Sequence, residues 1–132
     1  NLAAGDINGD GQNEIVVGAG YGGGPHIRIF TGDGRLLSGG FFAYDKNFRG
    51  GVNVAIGDIN GDGVGEIITG PGYGGNPEVA VFSARGQLLN RWLAYDSKLK
   101  SGIEITASDL DGNNIDEIIT MTTNVFTLSF LN

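Results

Sequence analysis

The chain has no cysteine, one histidine, three prolines, and only 8 basic residues against 15 acidic ones in 132 positions. Each scarcity excludes something. Without cysteine there is no disulfide framework and no thiolate metal site, although this alone does not fix the compartment. With His26 as the sole imidazole, a Ser-His triad would have to be built around that one residue, and nothing in the sequence points to one; His26 reads as a strand-surface residue. A net charge of −7 argues against nucleic acid or an anionic membrane surface, both of which call for basic patches. No apolar run approaches the ~20 residues of a transmembrane helix, so membrane insertion is not expected, and the first residues carry no charged-then-apolar signal segment. No window shows the i, i+3, i+4, i+7 apolar pattern of an amphipathic helix.

Glycine is abundant, with 25 residues where an average composition of about 7% would place far fewer. Between the glycines lie short runs rich in Val, Ile, Thr, Phe and Tyr, which read as strands. The class is all-β.

One acidic stretch, Asp6-Ile7-Asn8-Gly9-Asp10-Gly11-Gln12-Asn13-Glu14, places oxygen-bearing side chains at alternate positions and closes with a carboxylate. It recurs as Asp58 to Glu66, 52 residues on, and as Asp109 to Glu117, 51 residues further. Such a period marks a repeat protein. Flanking segments repeat too: Asn1 to Gly5 corresponds to Asn53 to Gly57, Gly20 to Pro25 to Gly72 to Pro77, and Ala43-Tyr44-Asp45 to Ala94-Tyr95-Asp96 after a one-residue deletion. Each period predicts four short strands, in the second repeat roughly Val52 to Ile56, Glu66 to Thr69, Glu78 to Phe82 and Leu88 to Tyr95. Runs such as Ile15-Val16-Val17 and Ile67-Ile68 do not alternate, so both of their faces must be covered. Radially stacked four-stranded blades do this, and a repeat near fifty residues suits one blade.

The expected fold is therefore a β-propeller segment of about three antiparallel blades, each with a calcium loop between its first and second strands. Blade 1 spans residues 1–51 with a truncated first strand, blade 2 spans 52–102, and 103–132 form a partial blade 3 with strands at Gly102 to Ser108, Glu117 to Met121 and Val125 to Leu131. Propellers close with roughly 4 to 8 blades. Closure is expected from further blades of a longer chain, which is favoured because Asn1 falls inside a strand, or alternatively from homo-oligomerisation.

Calcium takes about six to eight hard oxygen ligands in flexible geometry. In the first two loops, positions one, three and five supply Asp6, Asn8 and Asp10, and Asp58, Asn60 and Asp62; in the third they are Asp109, Asp111 and Asn113. Position seven, Gln12, Val64 or Ile115, would offer its backbone carbonyl, and position nine, Glu14, Glu66 or Glu117, would close the site. Three cations would neutralise most of the −7 charge. Position six must bend sharply and holds Gly11, Gly63 and Asn114; asparagine tolerates the left-handed region. An EF-hand would need its bidentate acid at position twelve, where this chain has Val17, Thr69 and Thr120. Magnesium, which prefers to keep its waters, is the weaker option. A metal-free Asp/Asn/Gly turn is common for a single copy but less so for three with the same oxygen spacing.

These loops, each followed by a glycine-rich turn ending near a proline in the first two repeats, resemble the FG-GAP repeats of integrin α-subunit propellers and related repeats of bacterial surface proteins. The resemblance spans almost the whole chain, although no Phe-Gly pair occurs and Gly18-Ala19-Gly20 and Gly70-Pro71-Gly72 only approximate the Gly-Ala-Pro half. It implies a calcium-binding propeller with Asp6, Asn8, Asp10, Glu14 and their counterparts as ligands. The functional expectation is a non-catalytic module of an extracellular or cell-surface protein, used in adhesion or protein interaction, with about three structural calcium ions. A glycan-binding propeller is the alternative, and an accessory part of a calcium-dependent lyase or hydrolase ranks last. The expected partner is a protein or a glycan. Two G-x-G-x-x-G matches, at Gly18 to Gly23 and Gly70 to Gly75, open no predicted helix and read as turns. Tyr44 and Tyr95 read as packing residues. Tyr21 and Tyr73 lie in glycine loops, and packing is the favoured role for them too.

Overall fold

The computed structural model describes residues 1–122 and, as backbone, Leu128–Leu131. Among the described residues every regular element is a strand. Four antiparallel strands, β1 (Leu2–Gly5), β2 (Glu14–Gly18), β3 (His26–Phe30) and β4 (Leu36–Phe42), follow one another in a first sheet. The second repeats the order with β5 (Val52–Gly57), β6 (Glu66–Pro71), β7 (Glu78–Phe82) and β8 (Leu88–Leu93). A third sheet pairs β9 (Ile103–Ser108) with β10 (Glu117–Thr122), and β10 with β11 (Leu128–Leu131). Of the strand expected over Val125 to Leu131, the first three residues lie outside the described residues. The fourth strand of the second sheet stops at Leu93, short of the expected Tyr95, which sits in the turn that follows.

Each acidic loop bridges the same hairpin register. Gly5 faces Glu14, Gly57 faces Glu66, and Ser108 faces Glu117. The spacing of 52 rather than 51 residues between the first two loops has a local cause. In the first sheet β3 and β4 lose register between Ile27 and Ile29, an irregularity that the second sheet lacks, and Gly40, with φ +91°, takes up the extra residue. A side chain at Gly40 would run into the Ile27 carbonyl, so only glycine fits this bulge.

β5 packs against both β1 and β9, so the leading strands of the three sheets sit side by side and the middle sheet is covered on both faces. Strand periodicity divides its side chains between two cores. Val52, Val54, Ile67, Ala80 and Phe82 join Val16, Ile27 and Ile29 of the first sheet, whereas Ala55, Ile68, Val79 and Val81 join Ile103 and Ile118 of the third. Every residue of β6 is buried, while Ile15 and Val17 at corresponding places in β2 are half-buried. Full burial of an Ile or Val side chain stabilises by about 1.5–3 kcal/mol, so these two interfaces are what give the sheets their order. Double coverage accounts for the non-alternating run of β6, as expected of propeller-like blades, whereas the run in β2 is fully buried only on the face that carries Val16, and Ile15 and Val17 on its other face are half-buried.

Polar ties cross the same interfaces at matched positions. The Asn1 side-chain amide donates to the Val52 carbonyl and that of Asn53 to Ile103. The Tyr44 hydroxyl reaches the Thr69 and Glu78 carbonyls of the second sheet, and Tyr95 reaches Thr120 of the third. These tyrosines pack between blades, as their repetition suggests.

Candidate metal centres

Chain geometry shapes each loop before any ion is considered. In the first, the Asp6 carboxylate accepts from the N–H groups of Asn8, Gly9 and Gly11, Asn8 Oδ1 accepts from Asp10, and Asp10 Oδ1 accepts from Gln12. The second follows the same plan: Asp58 takes the N–H groups of Gly61, Asp62 and Gly63, Asn60 that of Asp62, and Asp62 that of Val64. In the third, Asp109 takes those of Gly112, Asn113 and Asn114, Asp111 that of Asn113, and Asn113 that of Ile115. Position six requires a left-handed turn, with φ +82° at Gly11, +84° at Gly63 and 65° at Asn114, so asparagine adopts the conformation that glycine has in the other copies.

The alternating Asx turns draw the acids together. Asp6, Asp10 and Glu14 have carboxylate oxygens within 4.8 Å of one another, as do Asp58, Asp62 and Glu66, and Asp109, Asp111 and Glu117. In each group the glutamate is buried, while the residues at positions three and five lie at the surface. The glutamates enter from the first residue of β2, β6 and β10, and one oxygen of each accepts the N–H of position two: Ile7, Ile59 or Leu110. Asn8, Asn60 and Asn113 turn their oxygens onto loop N–H groups, and the amide of Asn60 also donates to Glu66 Oε1. Gln12, Val64 and Ile115 contribute N–H groups to position five.

Electrostatics differ between the loops. The N–H of Gly11, with those of Gly9, Asn8 and Asp10, holds the Asp6 carboxyl below the usual range, and the N–H of Asn114 does the same for Asp109. Burial, reinforced by Asp62 and Asp58, pushes Glu66 up despite the bond from Ile59. Glu117 Oε1 is buried and has no hydrogen-bond partner among the described residues. A buried carboxylate oxygen left unpaired beside two further carboxylates is costly, and a hard divalent cation is the partner that three clustered carboxylates fit. The donor set contains only oxygen, which disfavours zinc and other soft-ligand metals.

Several features of the loops were not legible as site chemistry. Val64 and Ile115 lie over Gly9 and Gly61, so the side chain at position seven packs one loop onto the preceding one. Gly65 N–H donates to the Asp6 carbonyl and Asp116 N–H to that of Asp58, while the Asp116 carboxylate accepts the Asp58 N–H. The loops thus form a chain along one end of the strands.

At the other end the glycine turns are turns, closed by Gly23 N–H to the Gly20 carbonyl and Gly75 N–H to that of Gly72. Packing does not bury Tyr21 and Tyr73, contrary to the favoured expectation. They are 79% and 63% exposed and meet edge to face, with centroids 6.3 Å apart. Glycine neighbours give them no side chains to pack under, which is why they stand out. His26 opens β3 and lies against the Phe42 ring.

Antiparallel sheets, two of four strands and one of three among the described residues, stacked face to face and each opened by a hairpin around an acidic loop, define a repeat protein of propeller-like blades. More particularly, residues 6–69, from the first loop through the second, match the family model of the FG-GAP-like repeat. No curated protein matches the chain.

Proposed function

We propose that this chain is a calcium-stabilised, non-catalytic interaction module of an extracellular or cell-surface protein. The observation that carries the reading is the threefold clustering of carboxylates at one register position, with the buried, unpartnered Glu117 oxygen in the third copy. Asp6, Asp10 and Glu14, with Asn8 and the Gln12 carbonyl, would hold one ion. Asp58, Asn60, Asp62, Glu66 and the Val64 carbonyl would hold a second, and Asp109, Asp111, Asn113, Glu117 and the Ile115 carbonyl a third. In the second loop Asn60 would turn its amide away from Glu66. The ions' contribution is charge neutralisation, fixing loops that are already linked from blade to blade. Modules outside cells meet calcium at concentrations that suit affinities of about 10⁻⁴–10⁻³ M, so structural ions there need no tighter site.

Thermal melting in 5 mM calcium against EDTA tests this. At about fifty times Kd each site adds roughly 2.3 kcal/mol, so a rise of many degrees is expected, with a smaller response to magnesium. Equal melting temperatures in the two conditions would remove the structural role for calcium. The role in adhesion or protein interaction rests on the exposed Tyr21–Tyr73 pair, since rigid aromatics at a surface anchor partners well. Closure of a ring, by further blades or by copies of this chain, remains part of the proposal and is read from the solution mass.

A further inference from the structure

We propose that the cleft between the first two blades, at the strand ends opposite the acidic loops, is a binding subsite for a neutral saccharide. Its volume is about 330 Å³, within the range of small-ligand sites. The lining comes from two blades: Tyr44, Asp45 and Phe48 from the connection between β4 and β5, Asn76 from the turn between β6 and β7, Glu78 from β7 and Arg91 from β8.

The polar groups are held in place yet incompletely used. Arg91 Nε pairs with Glu78 at 2.9 Å, its Nη2 donates to the Ala43 carbonyl at 2.8 Å, and its guanidinium carbon lies 5.8 Å from the centre of the Tyr44 ring. Those contacts leave Nη1 to donate. Asp45 Oδ1 accepts the Asn47 N–H and leaves Oδ2. Asn76 Oδ1 accepts from Lys100 Nζ and leaves its amide N–H groups. Charges of both signs therefore face one another across a small space, which suits neither an anion nor a cation. Fixed donors and acceptors beside an aromatic ring match a sugar, whose hydroxyls take both kinds of bond and whose C–H face stacks on a ring. Phe48 supplies that ring in the cleft lining, half-buried, with its rim seated against Gly50 and Gly75, where a side chain would collide with it.

Comparison between repeats separates this cleft from the scaffold. Tyr44 and Asp45 recur as Tyr95 and Asp96. Phe48 instead aligns with Leu99, Asn76 with Gly24, Glu78 with His26 and Arg91 with Gly40. Residues that build the blades repeat, whereas those that give this cleft its ring, amide and ion pair do not. The site stands apart from the calcium reading, because the loops lie at the other end of the strands.

The test is titration of the 132-residue chain in calcium with the methyl glycosides of glucose, galactose, mannose, fucose and xylose, followed by amide NMR shifts and calorimetry. At least one glycoside is expected to shift Gly74, Gly75 and Asn76. Phe48→Leu and Asn76→Gly borrow the residues found at the matching positions of neighbouring repeats. Each should melt with the parent chain while weakening that glycoside roughly three- to tenfold. Absence of shifts with all five glycosides, shifts gathered at Tyr21 and Tyr73 instead, or unweakened binding by both folded variants would overturn the proposal. Repeating the titration in EDTA with a chain that stays folded should leave the affinity unchanged, and loss of binding there would tie the site to the loops and refute its independence.

Discussion

Tyr44→Phe deletes a single hydroxyl from the interface between the first two blades. That hydroxyl lies 2.6 Å from the Glu78 carbonyl and 3.0 Å from that of Thr69, and it accepts from Thr69 Oγ1 at 3.1 Å. One proton serves the carbonyls, so the change removes one donated and one accepted bond. The ring, which fills the interface, remains. Each bond contributes about 0.5–1.5 kcal/mol net. Thr69 Oγ1 keeps the Ala80 carbonyl at 3.3 Å, so it is not orphaned and the loss falls toward the lower part of the summed range. The expected cost is about 1–2 kcal/mol. With a urea m-value of roughly 2 kcal/mol/M, the unfolding midpoint should fall by about 0.5–1 M. Tyr21→Phe, whose hydroxyl belongs to a largely exposed ring, is the control and should leave it unchanged. Coupling sharpens the assay: Tyr44→Phe and Thr69→Val should be less than additive, because both remove the same bond. A midpoint unmoved by Tyr44→Phe, or strict additivity in the cycle, would refute the idea that this hydroxyl ties the blades.

Burial pushes the Tyr44 phenol well above the usual tyrosine range. A raised folded-state value favours the neutral form, so its contribution is complete below about pH 10 and is lost as the pH rises toward the folded value; alkaline urea midpoints should therefore fall less steeply in Tyr44→Phe than in the parent. Asn114, at φ 65°, should tolerate glycine within a few tenths of a kcal/mol, whereas Asn114→Ala should cost about 1–2 kcal/mol because alanine has neither glycine's freedom nor asparagine's local hydrogen bonding; denaturant midpoints check both. Glu117→Gln removes the charge from the unpartnered buried oxygen, so it should raise stability in EDTA and lower the number of calcium ions bound by one in calorimetry. In EDTA the Glu66 carboxyl, raised by burial and by its acidic neighbours, should titrate above the ordinary glutamate range, favouring the folded state below the unfolded value and losing that contribution as the pH rises through the folded one. Saturating calcium should shift that titration downward in carboxyl-resolved NMR.

The sequence exposed the hairpins because local chemistry repeats with them. Asp-x-Asx-x-Asx loops shape themselves through bonds two to five residues apart, so their spacing alone located the starts of β2, β6 and β10. Tyr44 and Tyr95 announced themselves by repetition, yet their partners, 25 residues on in the next blade, did not. Position seven looked free to vary because a backbone carbonyl was the only role assigned to it; the contact of Val64 with Gly9 crosses from one repeat to the next and leaves no local signature. Tyr21 and Tyr73 were misread for the converse reason: an aromatic between glycines carries no information about what lies above it. Among the described residues Arg91 and Glu78 form their ion pair across a strand pair in only one blade, so repetition gave no cue.

The two ends of the strands are tied in different ways, and this bears on how the module would respond to losing calcium. At one end the blades meet through the loop chain, Gly65 to Asp6 and Asp116 to Asp58, whose members carry the clustered carboxylates. Toward the other, Tyr44 and Tyr95 join blades through neutral hydroxyl–carbonyl bonds. Repulsion among the acids acts on the first set alone. Calcium removal should therefore raise hydrogen exchange first at Gly65 and Asp116, while Ile67, Ile68 and Ala80, within the doubly covered sheet, stay protected until global unfolding. Uniform loss of protection would mean instead that the loops and the apolar interfaces open as one unit.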